Sequence, residues 1–95
     1  MSHQFIVVCY DIPDDKRRTK LHNALCNFGT PVQYSVFECV VDARGLAQMQ
    51  ASVRKIIKPR LDHVRYYLLC GACRERIQTT RGEIETGGEG AALII

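Results

Sequence analysis

Residues 5–10, Phe5-Ile6-Val7-Val8-Cys9-Tyr10, form a continuous apolar run rich in β-branched and aromatic side chains. Such a run predicts a strand covered on at least one face. Asp11-Ile12-Pro13-Asp14-Asp15 breaks it, and Asp14 or Asp15 supplies the cap of a helix running from Lys16. Leu21, Ala24, Leu25 and Phe28 then recur at i, i+3, i+4 and i+7, which is one apolar stripe. Lys16, Arg17, Arg18, Lys20 and His22 fall early in this helix or on its wetter sides. Gly29 stands where a left-handed C-terminal cap is wanted, and Pro31 prevents continuation.

Residues 32–41 read as extended. Phe37, Cys39 and Val41 alternate with Glu38 and Val40, while Tyr34 and Val36 have the opposite parity from Phe37. No Gly, Pro or Asn interrupts the segment, so the residues alone predict one long strand. A kink near Ser35, or a second short strand, stays open at this point. Asp42 can cap a second helix, in which Leu46, Met49, Val53, Ile56 and Ile57 recur at helical spacing before Pro59. Residues 63–69 are strand-like, with Val64, Tyr66 and Leu68 on one face and Arg65 and Tyr67 on the other. Cys70-Gly71-Ala72-Cys73 predicts a turn, and Ile77-Gln78-Thr79-Thr80 has β character. Glycines 82, 87, 88 and 90 mark a connector before the apolar Ala91-Ala92-Leu93-Ile94-Ile95, which predicts a strand added to a sheet edge.

This order predicts an α+β fold with helices over one antiparallel sheet, and ferredoxin-like βαββαβ is its leading member. Residues 1–81 form the expected domain, and residues 82–95 the connector and an additional C-terminal strand.

The length of 95 residues leaves room for one domain and a modest core, a size at which pairing with a second copy adds stability. With 46% hydrophobic and 24% charged residues, extensive disorder is excluded. The net charge of +3 permits a polyanionic partner without requiring one; nine of the thirteen basic residues are arginines, suited to bidentate phosphate contacts. The five cysteines are odd in number, and Cys9, Cys26 and Cys39 read as small core residues. No leader pattern opens the chain and no apolar run reaches membrane-spanning length, so a soluble, cytoplasmic protein with reduced thiols is expected.

Three segments carry a resemblance. Val7-Val8-Cys9-Tyr10-Asp11-Ile12-Pro13-Asp14-Asp15, Val32-Gln33-Tyr34-Ser35-Val36-Phe37-Glu38, and Val64-Arg65-Tyr66-Tyr67-Leu68-Leu69-Cys70 with Cys73 resemble, in order and separation, the signatures of the CRISPR-associated Cas2 family. The resemblance implies a ferredoxin-like homodimer that joins the Cas1 integrase in acquiring new spacers. It also implies a magnesium-dependent endonuclease site for RNA or DNA at the dimer axis, and a split of the extended segment into two strands near Ser35. On this resemblance Asp11 matches the catalytic, metal-binding aspartate. Tyr10, Arg17, Arg18, Ser35 and Phe37 match residues of the site or of its nucleic-acid surface. Two departures stand out. Thr30-Pro31 replaces the basic residues that many relatives carry before the second signature, and the tail is richer in glycine.

The residues support this chemistry in outline. A carboxylate at a strand end is placed where ligands commonly sit, and magnesium takes hard oxygen ligands, often one or two carboxylates with waters. Two-fold symmetry would supply a second Asp11. The competing role for Asp11 is capping the turn into the first helix. The basic cluster of residues 16–20 can hold phosphates without reading sequence, or can be a solvated helix face. Tyr10, Tyr34 and Phe37 can stack on bases if exposed, or fill the core. Cys70 and Cys73 make a single CxxC, short of the four ligands of a structural zinc, and His3, His22 and His63 have no helical partner spacing. A non-catalytic dimer that holds DNA for the integrase is the alternative to an endonuclease. A generic ferredoxin-like RNA binder is disfavoured because the aromatic–glycine RNA-binding signature is absent.

Overall fold

A computed structural model of the chain describes residues 3–80. The elements are β1 (Gln4–Asp11), α1 (Asp15–Leu25), β2 (Gly29–Gln33), β3 (Val36–Val41), α2 (Ala43–Ile56), β4 (His63–Leu69) and a short α3 (Gly71–Arg74). The strands form one sheet of order β2-β3-β1-β4 in which every neighbouring pair is antiparallel. The apolar run at residues 5–10 lies in β1, an inner strand of that sheet.

Alternation sends Ile6, Val8 and Tyr10 of β1 and Phe37 and Cys39 of β3 to the helix-covered face. There they pack with Leu21 and Leu25 of α1 and Met49 and Val53 of α2. Val64 and Tyr66 of β4 close the same core, whereas Leu68 is 51% exposed. The result is the expected ferredoxin-like α+β sandwich. The opposite face of the sheet carries Cys9, Asp11, His63, Arg65 and Tyr67.

Both helices begin as their caps predict. Asp14 accepts a hydrogen bond from the Arg17 N–H at 2.9 Å, and Asp42 accepts one from the Gly45 N–H at 2.8 Å. The extended segment is two strands. Tyr34 and Ser35 form the turn between β2 and β3, with Ser35 at φ 62° in the left-handed region. The Ser35 carbonyl accepts the Tyr10 N–H at 3.1 Å, which ties the turn to β1.

Several expectations are corrected. Gly29 does not cap α1. Cys26 does so with right-handed backbone, its N–H donating to the His22 carbonyl at 3.1 Å. Gly29 opens β2 instead, and a Cβ there would overlap the Glu38 carbonyl oxygen and Cys39 Sγ and fall 2.9 Å from Cys39 Cα. The glycine is needed for close approach of two strands, not for a helix end. Of the three cysteines assigned to the core, Cys39 is buried, Cys9 is half-buried and Cys26 is exposed. Residues 70–73 enter a helical turn, α3, and residues 77–80 hold only an isolated bridge at Gln78. The connector and C-terminal strand expected over residues 82–95 lie outside the described residues.

Candidate functional site

Asp11 is the last residue of β1, where the strand leaves the sheet before Pro13 and the Asp14 cap. Its side chain is exposed and makes no hydrogen bond or ion pair among the described residues. The β1–β4 register sets His63 opposite Asp11 and Arg65 opposite Cys9. These residues line, with Tyr10, an open hollow of about 270 Å³. Arg65 Nη1 donates to the Tyr67 hydroxyl at 3.1 Å, a bond that raises the guanidinium further above its ordinary pKa. The hollow therefore joins one open carboxylate to a fixed cation and an imidazole.

An uncommitted, solvent-facing carboxylate suits magnesium, which keeps most of its waters and takes few protein oxygens. Among the described residues no three His, Cys, Asp or Glu side chains gather into a metal-holding group. Asp11 is thus the hard-oxygen donor this hollow supplies, and Arg65 beside it is equally suited to a phosphate.

Of the other expected site residues, Tyr10 alone lines this hollow. Arg17 is occupied. Its Nε and Nη2 donate to the two carboxylate oxygens of Asp62 at 2.7 and 2.9 Å, and its Nη1 lies 3.8 Å from Asp14. The Asp62 side chain is 0% exposed and also accepts the Lys58 N–H at 2.9 Å. The Arg17 hydrogen bonds hold the Asp62 carboxyl below the usual carboxylate range. The guanidinium expected to contact phosphate is thus engaged by two carboxylates of its own chain.

Arg18 is also engaged, donating to the Ile12 carbonyl at 2.8 Å, pairing with Asp15 and lying 5.9 Å from the Tyr34 ring centroid. Phe37 is 0% exposed, so its ring lies in the core and not on the surface expected for it. Tyr10 is 7% exposed with its ring centroid 6.3 Å from that of Phe37, so its role is to wall the site and not to stack. Burial pushes the Tyr10 phenol up, and a hydrogen bond with the Ser35 side chain pulls the other way.

Tyr10, Arg18 and Ser35 do meet, in a second hollow of about 220 Å³ lined also by Thr19, His22, Gln33 and Tyr34. Tyr34 is the exposed aromatic of the three considered, at 80%. His63 and Arg65 were missed as partners of Asp11. Their strand was legible, but its register against β1 has no local signal. Asp62 was missed as well, since a lone aspartate after a proline-bearing loop reads as surface.

Fold and site together define a ferredoxin-like domain with its polar hollow at the end of the first strand. The family model described as CRISPR associated protein Cas2 matches residues 4–77. A CRISPR-associated endoribonuclease Cas2 of Chloroflexus aurantiacus is 44% identical over 76% of this chain and 77% of its own length. A CRISPR-associated endonuclease Cas2 of Thermus thermophilus is 42% identical over 75% of this chain and 79% of its own. The crystal structure of Streptococcus pyogenes Cas2 superposes with a TM-score of 0.71 at 29% identity, covering 79% of this chain and 96% of that one. The chain belongs to the Cas2 family of CRISPR-associated proteins. Among the described residues no helix is long and apolar enough to cross a membrane.

Proposed function

We propose that the chain acts as a cytoplasmic homodimer that binds nucleic acid and, with magnesium, cleaves phosphodiester bonds in RNA or DNA. In the same reading it serves CRISPR adaptation, acquiring new spacers with the Cas1 integrase. The observation that carries this is the open Asp11 carboxylate beside Arg65 and His63 in the hollow at the β1–β4 end. The endoribonuclease and endonuclease names of relatives at 44% and 42% identity agree with it.

An isologous pairing that ran its axis past the end of β1 would face one Asp11 with the other. Bound there, magnesium would supply charge neutralisation at the phosphodiester. Arg65, oriented by Tyr67, holds a phosphate oxygen with planar donors, and the His63 imidazole offers a further N–H. Asp11 holds the carboxylate charge at the strand end, and the buried Tyr10 walls the site. The test is cleavage of single-stranded RNA and double-stranded DNA with magnesium by the wild type and Asp11→Ala, each first shown to be folded and dimeric. Cutting by the wild type alone supports the reading. Equal cutting by both, or cutting by neither, overturns the catalytic part.

A second reading is favoured by Arg65, which offers phosphate recognition that needs no metal. On this reading the dimer is a non-catalytic scaffold for DNA in the integration complex. It expects Arg65→Ala to weaken duplex binding while Asp11→Ala leaves it unchanged.

A further inference from the structure

Cys70 and Cys73 take no part in the hollow at Asp11, yet they are built into one turn. Cys70 follows β4 and is the N-cap of α3, with φ −72° and ψ 169°. The Cys73 N–H donates to Cys70 Sγ at 3.4 Å. Both residues are exposed and both thiols are free. Gly71 beside them faces open space, since a Cβ there would meet nothing within 4 Å. Cys39 contrasts with them, being buried with its Sγ 3.9 Å from Met49 Sδ.

We propose that Cys70 and Cys73 form a reversible dithiol–disulfide pair in which Cys70 is the attacking sulfur and Cys73 the resolving one. The cap contact brings Cys70 Sγ to 3.4 Å from the Cys73 nitrogen, from which a small backbone adjustment reaches disulfide geometry. The electrostatics give the pair a direction. The Cys73 N–H and thiol both bond the Cys70 sulfur and hold its pKa below the ordinary thiol value, whereas Cys73, facing that sulfur, is pushed up. Thiolate is the nucleophile, so Cys70 reacts first.

The co-reactant is a low-molecular-weight disulfide. The Cys70 thiolate attacks one of its sulfurs, the S–S bond breaks, and one thiolate leaves with the electron pair. Cys73 then loses its proton to solvent and attacks Cys70 Sγ, forming the intramolecular bond and expelling the second thiolate. Two protein thiols are oxidised and one disulfide is reduced to two thiols, which balances atoms and electrons. The turn so closed is the one that leads from β4 to residues 77–80, which line a hollow of about 520 Å³ with β2 and β3.

The experiment treats the full chain and its Cys70→Ser and Cys73→Ser variants with oxidised glutathione, followed by intact mass and peptide mapping. Wild type is expected to lose two thiols to a Cys70–Cys73 bond that excess reduced glutathione reopens. Cys73→Ser is expected to accumulate one glutathionyl group on Cys70, about tenfold faster than Cys70→Ser accumulates one on Cys73. Equal rates in the two variants, a lasting mixed disulfide on wild type, or no reaction at either residue overturns the proposal. If a variant does not fold, timed alkylation of wild type at pH 7 decides. Cys70 should then react about tenfold faster than Cys26, and equal rates overturn it.

Discussion

Arg17 and Asp62, separated by 45 residues, are joined by two hydrogen bonds of 2.7 and 2.9 Å that pin the first turn of α1 to the loop before β4. The loop is drawn onto the same carboxylate through the Lys58 N–H. Two connections leading into or away from the Asp11 hollow are thereby locked together. Arg17 itself does not line that hollow.

Removing Asp62 should therefore destabilise the fold more than removing any exposed carboxylate. Asp62→Ala leaves Arg17 and the Lys58 N–H without their acceptor, and a fall in melting temperature of about 5 °C or more is expected. Asp15→Ala, at an exposed carboxylate, should move it by far less. Thermal unfolding of the three proteins in parallel checks this, and a similar shift for both variants would refute the clamp.

Acid should expose the same clamp. Asp62 titrates below its ordinary value of 3.8, chiefly because of the Arg17 hydrogen bond. Its contribution is fully present above that value and drains away as the pH falls through the lower folded one. Urea midpoints should hold nearly level from pH 7 to pH 5 and drop below about pH 4. In Asp62→Asn the drop should be shallower but not absent, because Asp14, which caps α1, is also held low by the Arg17 N–H.

Ser35 occupies left-handed backbone at φ 62°. A β-branched residue tolerates this poorly, so Ser35→Val should lose about 1–3 kcal/mol. Ser35→Gly should stay within about 1 kcal/mol of wild type, as relief of strain offsets the greater freedom of the unfolded glycine. Chemical denaturation of both variants measures the difference. Equal losses would show that the hydroxyl, not the backbone, is what matters there.

Phe37→Ala should cost about 3–5 kcal/mol, since the ring is wholly buried. Tyr34→Ala, at an 80% exposed position, should change stability by no more than about 0.5 kcal/mol. Any loss of nucleic-acid binding in Phe37→Ala is then a loss of folded protein and should vanish when binding is scaled to the folded fraction. Persistent loss per folded molecule would restore a direct role to Phe37.

Asp11→Asn should leave stability within about 0.5 kcal/mol, because the carboxylate is exposed and uncommitted. The proposed function expects magnesium-dependent cleavage to fall about 100-fold or more in this variant, and chelation of magnesium to bring wild type to the same level. Residual cutting that is equal in both proteins and insensitive to chelator would count against Asp11.

Periodicity was enough for the helices, because Leu21 and Leu25, and Met49 and Val53, bury where their spacing places them. Asp14 and Asp42 were legible as caps for a similar reason, since a cap acts over three residues. Gly29 was misread because a glycine after a helix looks the same whether it serves conformation or clearance. The need here arises from Cys39, ten residues on. The break at Ser35 was invisible in residue types, for the turn uses a serine in glycine's conformational territory. The position of Asp11 at a strand end was legible, but its neighbours His63 and Arg65 depend on how β4 slides against β1. Arg17 and Arg18 looked available because a basic run reveals nothing of the distant carboxylate or carbonyl that will occupy it.

β1 is hydrogen-bonded along both of its sides, to β3 and to β4, while β2 and β4 each end the described sheet. Amide exchange should therefore be slowest along residues 5–10, which open only when the whole domain does. Asp11 follows directly on the last backbone to let go. Breathing of the β2–β3 turn or of the α3 end can proceed on fast timescales while the carboxylate keeps its address.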